Sequence, residues 1–230
     1  MSTVLITGAN RGIGLEFCRQ YAQQGWQVLA CCRQPEQAVA LNQLANSMSI
    51  EVHKMDVIHR NGIDELANRL KNQAIDLVIA NAGIYGDSSG YGLGNLHYES
   101  WLKTLETNVL GAVKVIEALL PNLRLSKEPR IAVLSSQMGS IEDNGSGGSI
   151  LYRSSKAALN ATMKSIAIDL ESDGVGVLIF HPGWVQTDMG GTHALINTNT
   201  SVSGMVEQIS RFNMQNTGQF IKYDGSLLPW

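Results

Sequence analysis

A tyrosine and a lysine stand four positions apart in the segment "LYRSSKAALN", as Tyr152 and Lys156. If the segment is helical, that spacing puts them one turn apart on the same face. A phenol titrates at about 10 in water, and a neighbouring cation is one way to make it a usable proton donor or acceptor at neutral pH. The pair reads either as an ordinary helix surface or as acid–base machinery, and other features of the chain have to decide.

A second candidate is rich in glycine. "TGANRGIG", Thr7 to Gly14, has glycines at 8, 12 and 14. Such glycines allow a tight turn and let backbone N–H groups approach a pyrophosphate at a helix N-terminus. The spacing is not that of the general dinucleotide fingerprint. However, the turn follows an apolar run and opens an amphipathic one, as a nucleotide cradle must. Gly8, Asn10, Arg11, Gly12, Ile13 and Gly14 are its candidate contacts, with a purely structural turn as the alternative.

The end of the next apolar run bears on which nucleotide is bound. An NAD site usually offers an acidic residue to the ribose hydroxyls there. In "ACCRQPE" that position is Cys32, followed by Arg33, and Arg11 is available in the glycine turn. Two guanidiniums favour a 2′-phosphate, because arginine pairs with phosphate in a planar, charge-assisted geometry. NADP(H) is expected over NAD(H), unless these arginines are solvated surface.

These side chains need elements to hold them. Short apolar runs at 3–7, 27–31, 50–55, 75–80, 130–135 and 176–180 read as strands, most of them buried on both faces. Amphipathic stretches lie between them, punctuated by Pro35 at one start and by Gly25 and Gly174 at two ends. The alternation predicts an α/β fold: one Rossmann-type, doubly wound parallel sheet of about seven strands, with helices on both faces. No linker or repeat divides residues 1–230, so a single domain is expected. In such sheets ligands bind beyond the carboxyl ends of the strands. Asp56 and Val57, and then Asn81, Ala82 and Gly83, fall there and are candidate cofactor contacts. In isolation Asp56 would be a helix cap and "NAG" a turn.

Composition narrows the partners. The chain is 44% hydrophobic and 16% charged with a net charge of −3, so no nucleic-acid or anionic-membrane partner is expected. The N-terminal "MSTVLITGAN" reads as structure from its first residues, and a cytoplasmic protein is expected. Cys18, Cys31 and Cys32 have no CxxC spacing and read as buried small hydrophobes, with adjacent Cys31 and Cys32 pointing to opposite sides of a strand. The five histidines lack metal-ligand spacing, and no metal is expected.

"TGANRGIG", "NAG", "TNVLG", "SSQMG", "YRSSK" and "PGWVQT" occur in the order seen in the short-chain dehydrogenase/reductase family, which the chain resembles over essentially its whole length. More narrowly, "PGWVQTDMGG" and the closing "FIKYDGSLLPW" resemble the C-factor and sniffer-like carbonyl reductase branch. The resemblance implies that Tyr152 is the general acid, giving its proton to a carbonyl oxygen as hydride arrives from the nicotinamide. It implies that Lys156 stabilises the phenolate and binds the nicotinamide ribose, and that Ser136 holds the carbonyl oxygen. Ser136 is preferred to Ser135 by its distance from Gly139. Asn108 would position a proton-relaying water chain, where a mid-helix asparagine is ordinarily solvent-facing or back-bonded. Pro182, Gly183, Val185 and Thr187 would meet the nicotinamide end.

About 186–205 is a candidate substrate lid, with an ordinary surface loop as the alternative. Met138, Ile141, Trp184 and Met189 are candidate pocket residues for an apolar ketone, aldehyde or quinone, and each could equally be a packing residue. A homodimer or homotetramer is implied, with two long helices, at about 98–122 and 152–171, as its interface. The apolar "LLPW" is expected to dock on the body or on a partner subunit. The rival reading is an NADP(H)-binding regulatory or signalling protein of the C-factor type, with secondary or vestigial catalysis. An intact Ser136, Tyr152 and Lys156 argue for chemistry, since a pure sensor needs no proton donor.

Overall fold

Apolar residues fill successive rather than alternate strand positions, and the computed structural model, which describes residues 1–230, gives the reason. All of β1 (Thr3–Thr7) is buried. Val4 and Ile6 enter the core on one face of the sheet, and Leu5 enters the core on the other. The same division recurs in β2 (Gln27–Cys32), where the free thiols of Cys31 and Cys32 go to opposite cores. It recurs again in β5 (Arg130–Leu134) and β6 (Gly176–His181).

With β3 (Ile50–Lys54), β4 (Leu77–Ala80) and β7 (Gln219–Lys222), these strands make one seven-stranded sheet in the order β3-β2-β1-β4-β5-β6-β7. Every neighbouring pair is parallel. The order reverses between β1 and β4, which opens a crevice at their carboxyl ends.

Helices α1 (Gly12–Gln23), α2 (Val39–Ala45) and α7 (Thr198–Ser210) cover one face, with Phe17, Tyr21, Leu41 and Met205 in its core. Helices α3 (Arg60–Arg69), α5 (Gly111–Leu123) and α6 (Ile150–Asp169) cover the other through Leu66, Leu119, Leu159 and Met163. Helix α4 (Tyr98–Leu105) leads into α5 and packs on α6. No helix is long and apolar enough to cross a membrane.

Three elements depart from the sequence reading. The expected helix near 98–122 is interrupted by a π-helical turn at Glu106–Leu110, which separates α4 from α5. The expected lid at about 186–205 runs into α7, so its irregular part ends at Asn197, whose side chain accepts from the Thr200 N–H at 2.8 Å. Val202, Met205, Val206 and Ile209 carry helical spacing there, interleaved with polar residues that obscure it. Pro35 opens a 3₁₀ turn (Pro35–Gln37), and α2 begins only after it.

The "LLPW" segment docks on its own chain. The Leu228 N–H donates to the Phe220 carbonyl at 2.9 Å, and the Trp230 ring lies 5.6 Å from that of Phe220. The Trp230 carbonyl accepts from the Ser140 hydroxyl at 3.0 Å and from the Ile141 and Glu142 N–H groups at 2.9 Å each.

Candidate active site

The carboxyl ends of β1, β2, β4, β5 and β6 open into one cleft of about 730 Å³. The glycine turn forms one wall. Gly8 and Gly12 hold left-handed backbone (φ +66° and +55°), and a Cβ on Gly14 would collide with the Gly8 carbonyl oxygen. The turn therefore closes tightly on itself before α1 starts. No side chain caps α1, whose first residues Gly12, Ile13 and Gly14 line the cleft. Uncapped first-turn amides and the positive end of the helix dipole make a seat for a phosphate.

The turn is braced from β4. The Thr7 hydroxyl oxygen accepts from the N–H groups of Asn81 (3.0 Å) and Ala82 (2.9 Å), while the Asn81 amide donates to the carbonyls of Thr7 (2.8 Å) and Gly8 (3.2 Å). Asn81 thus shapes the cradle through the main chain. Asp56 also lines the cleft, and its carboxylate accepts from the Ile58 N–H at 3.3 Å. Val57, Ala82, Gly83, Asn10, Cys32 and Arg33 complete this half of the wall. Arg33 is exposed, and Arg11 pairs across the cleft mouth with Asp188 at 2.5 Å.

Toward β5 and α6 the cleft is lined by titratable side chains instead of main-chain amides. Tyr152 and Lys156 are both buried, and the ammonium lies 5.6 Å from the phenol ring centre. Ser136 lies close enough to lower the phenol's pKa, and its hydroxyl oxygen accepts from the Met138 N–H at 3.2 Å, whereas the Ser135 hydroxyl donates to the Asn160 amide oxygen at 2.5 Å. Gly139 permits this closeness, since a Cβ there would sit 2.8 Å from the Lys156 carbonyl carbon. Burial pushes the Tyr152 phenol up to about 12, against the lowering influence of nearby Ser136, and pulls the Lys156 ammonium down to about 8. At neutral pH the phenol is thus a protonated donor beside a cation.

Asn108 sits on the π-turn, fully buried. Its amide clasps Ile84, accepting from the Ile84 N–H at 2.8 Å and donating to the Ile84 carbonyl at 2.9 Å. It also donates to the Ser155 hydroxyl at 3.0 Å. Both amide hydrogens are engaged, so a relay water would attach at the second lone pair of Oδ1. A Cβ on Gly83 would lie 3.2 Å from that oxygen and 3.6 Å from the Lys156 Nζ, which keeps the corner open.

Pro182 and Thr187 line the cleft, while Gly183 and Val185 are not among its lining residues. Val185 is buried and pairs with Ile196, so it can act there only through main chain. Among the pocket candidates, Met189 lines the cleft. Met138 is half-buried away from it, Ile141 is 80% exposed, and Trp184 donates its indole N–H to the Gly190 carbonyl at 2.8 Å. The sequence reading missed Tyr85, whose ring lies 4.9 Å from that of Tyr152, as well as Asp87 and Asp188. No local signal marks any of the three, since each acts on a partner at least 60 residues away.

A dinucleotide fits the residues present: the collapsed glycine turn, the uncapped α1 and the open corner at Gly83 share one cleft with Tyr152 and Lys156.

Comparisons with known proteins agree with this geometry. The C-signal of Myxococcus xanthus is 41% identical over 156 residues, covering 68% of this chain and 93% of that protein. The carbonyl reductase Sniffer of D. melanogaster superposes with a TM-score of 0.93 at 34% identity, covering 100% of both chains. The NADPH-bound carbonyl reductase from chicken fatty liver gives a TM-score of 0.93 at 30% identity, covering 100% of this chain and 99% of that one. The family described as short chain dehydrogenase matches residues 2–195, and the chain belongs to that family of oxidoreductases.

Proposed function

We propose that this protein is an NADPH-dependent carbonyl reductase that converts a ketone, aldehyde or quinone to the alcohol, with Tyr152 as the proton donor. The observation that carries the reading is the buried Tyr152 phenol, influenced by nearby Ser136 and flanked by Lys156, both Tyr152 and Lys156 lining the same cleft as the glycine turn. A bound nicotinamide supplies hydride. The chain's own residues do the rest.

Ser136 and Tyr152 hold the substrate oxygen between two hydroxyl groups, and Tyr152 gives it a proton as negative charge develops. Lys156, held by the Leu134 carbonyl at 2.7 Å, stabilises the phenolate that remains. Asn108 fixes the Ile84 segment, and its Oδ1 is the attachment point for the water that returns the proton. Gly8, Gly12 and Gly14 let the α1 amides hold the pyrophosphate, and Arg33 and Arg11 recognise a 2′-phosphate. Residues 186–197 close over the substrate.

Structural likeness to an NADPH-bound carbonyl reductase supports NADPH over NADH. Exposed Tyr98, Leu102 and Leu110 on α4 and the π-turn support self-association through that surface. Three buried, unpaired cysteines favour a reducing, cytoplasmic setting.

The test is NADPH oxidation against a panel of aldehydes, ketones and quinones, with NADH and Tyr152→Phe as controls. Turnover with NADPH that is lost in the variant supports the reading. Tight NADPH binding with no turnover on any carbonyl would overturn it and favour a regulatory nucleotide-binding role.

A further inference from the structure

We infer that Asp87 is a positioning residue for Tyr152, holding the first turn of the catalytic helix from outside that helix; the inference rests on the reductase reading. Helix α6 begins without a cap of its own. Its N-cap residue, Ser149, is in left-handed backbone (φ 46°) at the end of a run that includes Gly147 (φ 63°) and Gly148 (φ 65°). An N-cap residue normally has extended backbone, and its side chain accepts from the first-turn amides. Here the Ser149 hydroxyl is instead 2.5 Å from the Tyr85 hydroxyl, and no side-chain cap bond is made from Ser149.

The two open amides are taken by Asp87. One carboxylate oxygen accepts from the Leu151 N–H at 3.2 Å and the other from the Tyr152 N–H at 2.8 Å. A carboxylate at this end of a helix also interacts favourably with the helix dipole.

The location matters because Tyr152 is the third residue of α6, within the turn that frays most readily. From Lys156 onward the helix is anchored in the core through Leu159 and Met163. The first turn has no comparable apolar anchor except Leu151, so the direction of the phenol depends on what holds its backbone. Asp87 belongs to a segment that is itself fixed. Ile84 is clasped by Asn108, and the Tyr85 ring packs at 44° to that of Tyr152. Residues 84–87 therefore transmit the position of the π-turn asparagine to the phenol.

The test compares Asp87→Ala and Asp87→Asn with the wild type, each confirmed as folded and bound to NADPH. Loss of the clamp is expected to lower kcat by roughly 10- to 100-fold, the scale of a misplacement of about 1 Å, and to leave the KM for NADPH unchanged. Asparagine keeps one acceptor and should restore part of the loss. A structural role alone would lower the melting temperature and leave kcat of the folded enzyme intact. If Asp87→Ala fails to fold, Asp87→Asn carries the comparison.

Amide exchange across residues 148–153 of the NADPH complex is read in parallel, and protection should fall in both variants. A wild-type protein without turnover would end the reductase reading but leave the exchange measurement standing. Unchanged kcat in a folded variant, or unchanged protection at 151 and 152, overturns the role of Asp87.

Discussion

The Lys156 ammonium lies 5.6 Å from the ring centre of Tyr152 and donates to the Leu134 carbonyl at 2.7 Å, so the cation is bracketed between the end of a central strand and the phenol. Burial lowers its pKa from an ordinary 10.5 to about 8. Below the folded value both states carry the proton, and the burial penalty is present in full. Between the folded and unfolded values the unfolded chain holds more protons, so stability rises with pH. Without nucleotide, the melting temperature of the wild type relative to Lys156→Met is expected to climb between pH 8 and 10.5. Taking the difference between the two proteins removes the opposing contributions of the buried cysteines and Tyr152. A difference that stays flat with pH would mean that the ammonium is solvated.

Tyr152→Phe removes the proposed proton donor and leaves the ring in place. Turnover should fall by roughly 10²- to 10⁴-fold, the range of a lost general acid. NADPH affinity, followed by fluorescence titration, should change little. A variant that keeps even a tenth of wild-type turnover would require another donor.

Arg33 is exposed on the cofactor cleft, whereas Arg11 is already paired with Asp188. Arg33→Ala should raise the KM for NADPH by about 10-fold, the scale of one charge-assisted hydrogen bond, with the KM for NADH unchanged. Arg11→Ala should act more weakly, because a 2′-phosphate must compete with Asp188 for that guanidinium. Equal losses for both nucleotides would show that neither arginine reads the phosphate.

Gly14→Ala places a methyl group against the Gly8 carbonyl oxygen. Backbone has to move to admit it, and overpacking of this kind typically costs about 1–3 kcal/mol. A lower denaturation midpoint together with weakened nucleotide binding is expected. Retained affinity at reduced stability would separate the fold of the turn from its role as a cradle.

The sheet was legible because its strands are buried on both faces and stand out as unbroken apolar runs such as "TVLIT" and "GVLIF". The glycine turn and the Tyr152–Lys156 spacing were legible for a similar reason, since each is a local pattern. Long-range contacts were not. The Asp87 clamp links positions 65 residues apart, and nothing around "YGDSS" announces it. The pocket was the least legible part. Trp184 and Ile141 were read from residue type alone, and the fold places their side chains by loop geometry that residue type does not encode. Helix α7 shows a third case, in which helical spacing was present but diluted by threonine, asparagine and serine.

The widened turn at Glu106–Leu110 has a genetic consequence. Such a turn holds one residue more than an ordinary helical turn, and each residue of a regular helix advances by roughly 100°. Losing a single codon there would let the two flanking helices fuse into one continuous rod, a change that local backbone energetics favours. It would also swing Asn108 away from Ile84. A frame-preserving deletion at this point would therefore spare the scaffold while disabling the corner around Lys156, and would yield a protein that folds, accepts nucleotide and turns over poorly.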